Sequence, residues 1–237
     1  MPGRIEIKLI GVGGIGCALA PFLARYLQAE RRATGEEVRM TLVDGDDFET
    51  SNAARQSFEA LGNKAKVKAT ELARGFPGLS FRAIPEFVTA ENLSRVVLTG
   101  DLVFLAVDNH ATRRADSHRC EEVSDVVLIS GGNDFTDGNV QVYIRRNGRD
   151  ITLPLTRFHP EIADPKDKSP AEMSCEELAA IAAPQLLFMN LSIASAMLNA
   201  FYAWRSARLS YGEVYLDILE GRAQPVARAP CDGKTDR

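Results

Sequence analysis

No two cysteines in this 237-residue chain stand close enough to form a Cys-x-x-Cys unit; Cys17, Cys120, Cys175 and Cys231 are scattered along it. Such spacing signals neither a zinc cage nor a dense disulfide framework, so no zinc site is expected and a reducing, cytoplasmic setting fits. A basic surplus is also missing. Lys and Arg number 28 against 32 Asp and Glu, a formal net charge of −4, which speaks against non-specific nucleic-acid binding because phosphate contacts need spare cations. The N-terminus has no charged leader followed by a long apolar stretch, since a glycine-rich turn arrives at residue 11. A secretory signal is therefore not expected, and the mature chain is expected to begin here. Residues 178–204 lack charge altogether and as a helix could span ~30 Å of hydrocarbon. Pro184, Gln185, Asn190, Ser192, Ser195 and Asn199 interrupt that run. A helix buried in the core or at a subunit interface is expected, and no membrane span.

What is present is ordinary globular composition, 45% apolar and 25% charged, enough for a sizeable core without staples. Residues 4–10 alternate and then run apolar, as a strand does, and 17–27 carry Leu19, Phe22, Leu23, Tyr26 and Leu27 at helical spacing. Residues 38–43 read as the next strand, ending in the acidic turn of Asp44, Asp46 and Asp47. A helix over 63–73, a strand over 81–84, a helix over 90–98 and a strand over 101–107 follow, with another strand at 126–130. Residues 139–145 and 150–155 flank Asn147-Gly148 and predict a hairpin. Pro160, Pro165 and Pro170 make 156–174 a crossing loop, a long helix follows Glu176, and 214–219 is a last strand. The reading is α/β: a Rossmann-like doubly wound, mostly parallel sheet with an appended hairpin and a long C-terminal helix, one soluble domain over 1–220 and a loose tail over 221–237. Ligands in such folds bind beyond the carboxyl ends of the strands, where the glycine turn, Asp44 and Asp108 all fall.

Gly11, Gly13, Gly14 and Gly16 follow a strand and open a helix, a context in which the backbone can approach phosphates under the helix dipole. Asp44 suits ribose hydroxyls. Arg55, Lys64 and Lys66 come soon after, and such a density of cations suits a triphosphate better than a diphosphate.

In order, the chain shows Gly11-Val-Gly13-Gly14-Ile-Gly16, Asp44-Gly-Asp46, Ser51-Asn52-Ala-Ala-Arg55-Gln56, Asn63-Lys64-Ala65, Asp108-Asn109 leading to Arg113, and Ser130-Gly131-Gly132. In this it resembles the ThiF/MoeB/ubiquitin-activating-enzyme superfamily, over roughly residues 7–219. The resemblance implies adenylation: the C-terminal carboxylate of a ubiquitin-like or sulfur-carrier protein attacks the α-phosphate of ATP, and pyrophosphate leaves. It further implies that Asp44 holds the ribose, that Asp46 and Asn52 shape the acidic turn near the nucleotide or metal, and that Arg55, Gln56 and Lys64 meet the phosphates. Asp108, with Asn109 beside it, would coordinate Mg²⁺ that bridges phosphates. Lys64 is preferred to Lys66 as the phosphate lysine. Cys175 stands where many relatives carry a cysteine, some of which form a thioester or persulfide-type link. Each residue also has a plainer reading: Asp46 and Asn52 as a turn-stabilising cluster, Arg55 as a surface ion pair, Asp108 as a helix cap, Cys175 as an inert thiol.

Two departures from the family pattern stand out. Relatives often carry an N-terminal helix whose arginine reaches into a partner subunit's site, and many carry two Cys-x-x-Cys pairs; neither is expected here. They leave open a non-catalytic or partner-dependent module that binds nucleotide or a ubiquitin-like protein. An NAD-dependent oxidoreductase, supported by the glycine turn and Asp44 alone, is the third reading. A homodimer through the uncharged 178–204 helix is expected, with a heteromer of family members as its alternative.

Overall fold

The computed structural model describes residues 4–173 and 185–227. β1 (Arg4–Ile10) leads into α1 (Gly14–Thr34), then β2 (Glu37–Val43), the short β3 (Asp47–Phe48) and β4 (Gly62–Asn63), and α2 (Lys64–Gly75). β5 (Ser80–Ile84), α3 (Ala90–Val96), β6 (Leu102–Leu105), α4 (His110–Glu122) and β7 (Val126–Asn133) follow. The remainder is β8 (Asp137–Arg146), β9 (Arg149–Asp150), α5 (Pro160–Ala163), α6 (Leu187–Arg205), β10 (Glu213–Asp217) and β11 (Arg222–Val226).

The main sheet runs β11-β10-β8-β7-β6-β1-β2-β5, with β9 on β8. From β7 to β5 neighbouring strands pair in parallel; β8, β10 and β11 extend the sheet antiparallel. Alternation along the central strands sends Ile7, Leu9, Leu102 and Phe104 to the face covered by α1 and α6, and Ile10, Val103 and Leu105 to the face covered by α3 and α4. Helices on both faces of a largely parallel sheet make the fold α/β and doubly wound. β1 has β2 on one side and β6 on the other; the chain order reverses there, and the crevice beyond the strand ends opens at that reversal.

Helix ends follow local chemistry. α1 stops at Gly35, which takes φ 73° and returns its N–H to Arg31 O, with Arg31 and Arg32 in the last turn. Asn63 caps α2 through Lys66 N, and Thr89 with Asn92 forms a capping box on α3. α1 and α6 lie side by side in the same direction. Asn190, early in α6, lies against Gly14 at the start of α1, while Arg205 at its end donates to Glu36 at 2.6 Å, just beyond α1. Among the described residues α6 is long and apolar enough to cross a membrane by length and composition; Met189, Ile193, Met197 and Phe201 are nonetheless buried against the sheet and α1.

Several expectations need adjusting. α1 begins at Gly14, within the glycine turn, and runs seven residues past the predicted end at 27. The hairpin turn forms as predicted, with Asn147 at φ 50° and Gly148 at φ 71°. Its second arm pairs only through Arg149–Asp150, however, and β8 makes its long partnership with β7. The loose tail predicted from residue 221 is not loose at its start: Arg222–Val226 pairs with all five residues of β10, because an open antiparallel edge offers unpaired N–H and C=O groups.

Candidate nucleotide site

The glycine turn joins β1 to α1 by backbone contacts that a side chain would prevent. Gly11 takes φ +86°, and a Cβ there would come within 2.5 Å of Ala106 O on the loop after β6; a Cβ at Gly16 would run into the Gly11 carbonyl. α1 has 21 residues, no side-chain cap and no acid in its first turn. Its N-terminal dipole and amides therefore face the crevice unopposed, which is the physical requirement for seating an anion.

β2 delivers Asp44 to the same place. One carboxylate oxygen accepts from Val12 N at 2.6 Å and the other from Asp46 N at 2.9 Å, which fixes the turn while leaving lone pairs for a diol. Burial pushes the Asp44 carboxyl up, opposed by the Lys64 charge and these two N–H groups. Asp46 is exposed, and its side chain accepts from Asp47 N and pairs with Lys64. Lys64 is buried at the first position of α2, whereas Lys66 is exposed. Of the two, Lys64 is the one that pairs with the acidic turn.

Between these elements, Asn52 exchanges hydrogen bonds with Glu49 in a 3₁₀ turn at Thr50–Asn52, so its side chain oxygen holds the loop that carries Arg55 and Gln56. The Arg55 guanidinium is half-buried and makes no hydrogen bond or ion pair to a described residue. Gln56 is buried with Oε1 unpartnered, and its Nε2 lies 4.0 Å from where a Gly13 Cβ would stand.

β6 contributes the opposite wall. Asn109 caps α4, accepting from Thr112 N at 2.7 Å; Asp108 does not, and its exposed carboxylate has no hydrogen bond or ion pair to a described residue. Arg113 is buried beneath it and donates to Val107 O and Gly131 O. Burial pulls the guanidinium down to about 10, with Asp108, Asp167 and Asp134 acting against that, so Arg113 is charged at neutral pH. The Asp167 carboxylate straddles the start of α4, accepting from His110 N at 2.7 Å and Ala111 N at 3.0 Å.

The structure thus brings the glycine turn, Asp44, Asp46, Lys64 and Gln56 together at the ends of β1 and β2, with Asp108 at the end of the adjoining β6. It employs Asn109 as a helix cap and the Asn52 oxygen as a turn brace. Cys175 lies outside the described residues. Cys17 is buried, its thiol 3.5 Å from Gly14 O and raised in pKa by burial, as a packing residue would be. Sequence reasoning gave no role to Asn190, Gln185 or Asp167. A polar residue breaking the uncharged 178–204 run was the available signal for Asn190.

Residues 3–223 match the ThiF family. The chain belongs to that family. Relatives of this ThiF chain include the molybdopterin-synthase adenylyltransferase of Escherichia coli K12, 26% identical over 162 residues, covering 67% of this chain and 61% of that protein. The adenylyltransferase and sulfurtransferase MOCS3-1 of Zea mays is 32% identical over 162 residues, covering 67% of this chain and 32% of its own length. The ThiF chain thus spans from about a third to three fifths of these relatives. Among solved structures, E. coli MccB with ATP superposes with a TM-score of 0.70 at 18% identity, over 96% of this chain and 65% of MccB. The selenomethionine form of PaaA gives 0.68 at 17%, over 95% and 64%. These likenesses share the fold.

Proposed function

We propose that this ThiF chain adenylates the C-terminal carboxylate of a ubiquitin-like or sulfur-carrier protein, or of a peptide, with ATP. The observation that carries the reading is the uncapped, acid-free start of α1 with Gln56 beside it, the buried Lys64 on the adjoining acidic turn and Arg55 on the loop that carries Gln56. A dehydrogenase needs the glycine turn and Asp44 but no such cations. The family and the relatives named as adenylyltransferases support the same choice, as does the shared fold with MccB, whose structures include ATP and, separately, AMPCPP with MccA.

In this reading a carboxylate oxygen of the substrate attacks the α-phosphorus, the bond from that phosphorus to the α,β-bridging oxygen breaks, and pyrophosphate carries the charge away. Both reactants are anions. The dipole of α1, Lys64 and Arg55 offset their repulsion and hold them in line; Asp44 takes the ribose hydroxyls and Gln56 the phosphates. Asp108 fits a role in holding Mg²⁺, since its carboxylate is exposed and unengaged, and no group of three or more metal-ligating side chains occurs among the described residues. Phosphate oxygens would complete the shell, and the ion would neutralise their charge. Pairing of two copies is proposed through the outer face of α6, where Phe188 is 64% exposed beside Leu187 and Leu191.

Titration calorimetry with Mg²⁺-ATP and with NAD tests the nucleotide. ATP binding that weakens tenfold or more in Arg55→Ala and Asp108→Ala is expected. NAD binding indifferent to Arg55 would return the protein to the dehydrogenases, and ATP binding without pyrophosphate release across candidate carriers would favour the non-catalytic module.

A further inference from the structure

α6 presents one polar side chain to the glycine turn. Asn190 is 0% exposed, and neither Nδ2 nor Oδ1 has a hydrogen-bond partner. Its carboxamide lies directly over Gly14, where any Cβ would collide with it, and Gln185 Oε1 would stand 3.1 Å from the same Cβ. Gln56 lies by the preceding glycine, its Nε2 4.0 Å from where a Gly13 Cβ would stand and its buried Oε1 also unpartnered. Around Asn190, α6 is apolar where it packs, with Met189, Ile193 and Met197 all fully buried. A leucine would satisfy that interface better than a carboxamide whose donor and acceptor are both unbonded, because unmatched buried amide groups oppose folding.

We propose that Asn190 is a nucleotide-contacting residue: its Nδ2 donates to the phosphate seated on the first turn of α1. The inference rests on the nucleotide reading above and adds a second, distant element to the site. A carboxamide offers two N–H donors without a charge, and a bond to an ionised phosphate in a dry pocket is stronger than one between neutral groups. The absence of a Cβ at Gly14 is what lets α6 deliver the amide close enough. Phosphate binding then supplies the partner that Asn190 lacks in the free chain, so the contact discriminates nucleotides by their phosphates and is indifferent to the base and ribose.

The test compares the full chain with Asn190→Leu, which keeps the volume and removes the hydrogen-bonding groups, and with Asn190→Ala. Affinities for Mg²⁺-ATP and for adenosine are measured by calorimetry, with melting temperature of the free proteins as the control on folding. The expected result is a melting temperature equal to or above wild type for Asn190→Leu, an ATP Kd raised at least tenfold, and an adenosine Kd unchanged. Equal weakening for ATP and adenosine, or an unchanged ATP Kd in whichever variant stays folded, overturns the inference while leaving the nucleotide reading intact. A wild-type chain that binds no ATP overturns both.

Discussion

Asp116 on α4 is fully buried, and both its carboxylate oxygens lack partners. Burial pushes its carboxyl well above the ordinary range. An unfolded aspartate loses its proton near ~3.9; above that pH the folded chain still holds a proton that the unfolded chain has released, so stability falls as pH rises toward the folded value and stays low beyond it. Asp116→Asn removes this dependence. Its gain in melting temperature over wild type is expected to be larger at pH 7.5 than at pH 4.5, and equal gains at both would show that the carboxyl does not titrate in this way. The glycine turn gives the opposite sign. Gly16→Ala places a methyl against the Gly11 carbonyl, and a loss of more than about 1 kcal/mol is expected in urea unfolding, since the backbone must shift to admit it. At this scale the sequence reveals which residues have chemistry to offer but not which already spend it locally. Asn109 and Asn52 sit inside site motifs, yet their oxygens are engaged as a helix cap and a turn brace. Asp108, readable as a cap, is instead left without such a bond.

Among the elements, the parallel strands and their helices were legible because each carries a clear pattern: β1 and β2 alternate before an apolar end, and β6 and β7 open as apolar runs. β3, β4, α5 and β11 were not, since they exist only through pairing or packing that no local pattern announces. Two side chains tie such short pieces down. Arg113 joins the ends of β6 and β7 through Val107 O and Gly131 O. Arg113→Ala leaves two carbonyls unsatisfied at about 1–3 kcal/mol each, so a loss of at least about 2 kcal/mol is expected in chemical denaturation. His159, before α5, bonds Glu161 at 2.8 Å and Glu213 of β10 at 2.7 Å. Burial pulls its pKa down, but those two carboxylates outweigh it and leave it above the ordinary value. The resulting stability is complete below the unfolded pKa of ~6.5 and is lost as pH rises through the folded one. The melting-temperature difference between wild type and His159→Gln should accordingly shrink as pH rises above about 6.5; a difference independent of pH would assign His159 a packing role alone.

For the whole molecule, the pairing proposed for α6 makes a separate prediction. Phe188 is 64% exposed, and one charge there should disfavour burial against a second copy. Phe188→Glu is expected to shift sedimentation from dimer toward monomer with little change in melting temperature. A wild-type chain that sediments as a monomer at high concentration removes the basis for it. The overall class of the fold was readable from strands alternating with helices, whereas the way distant segments meet was not. Nothing local in residues 187–205 says that their first turn will lie on the glycine turn and their last beside Glu36.

That last pairing sets an order of events during synthesis. Arg205 reaches Glu30 across 175 residues of chain, and Asp167 closes on His110 across 57, so segments far apart in the sequence must meet before the helices around the crevice are in place. The glycine turn leaves the ribosome with β1 but stays without its neighbour from α6 until residues 187–205 have emerged. Contacts of such long range form slowly. A nascent chain halted before residue 187 should accordingly carry the phosphate-binding turn yet hold ATP poorly, and competence to bind would arrive late and abruptly with the docking of a single helix.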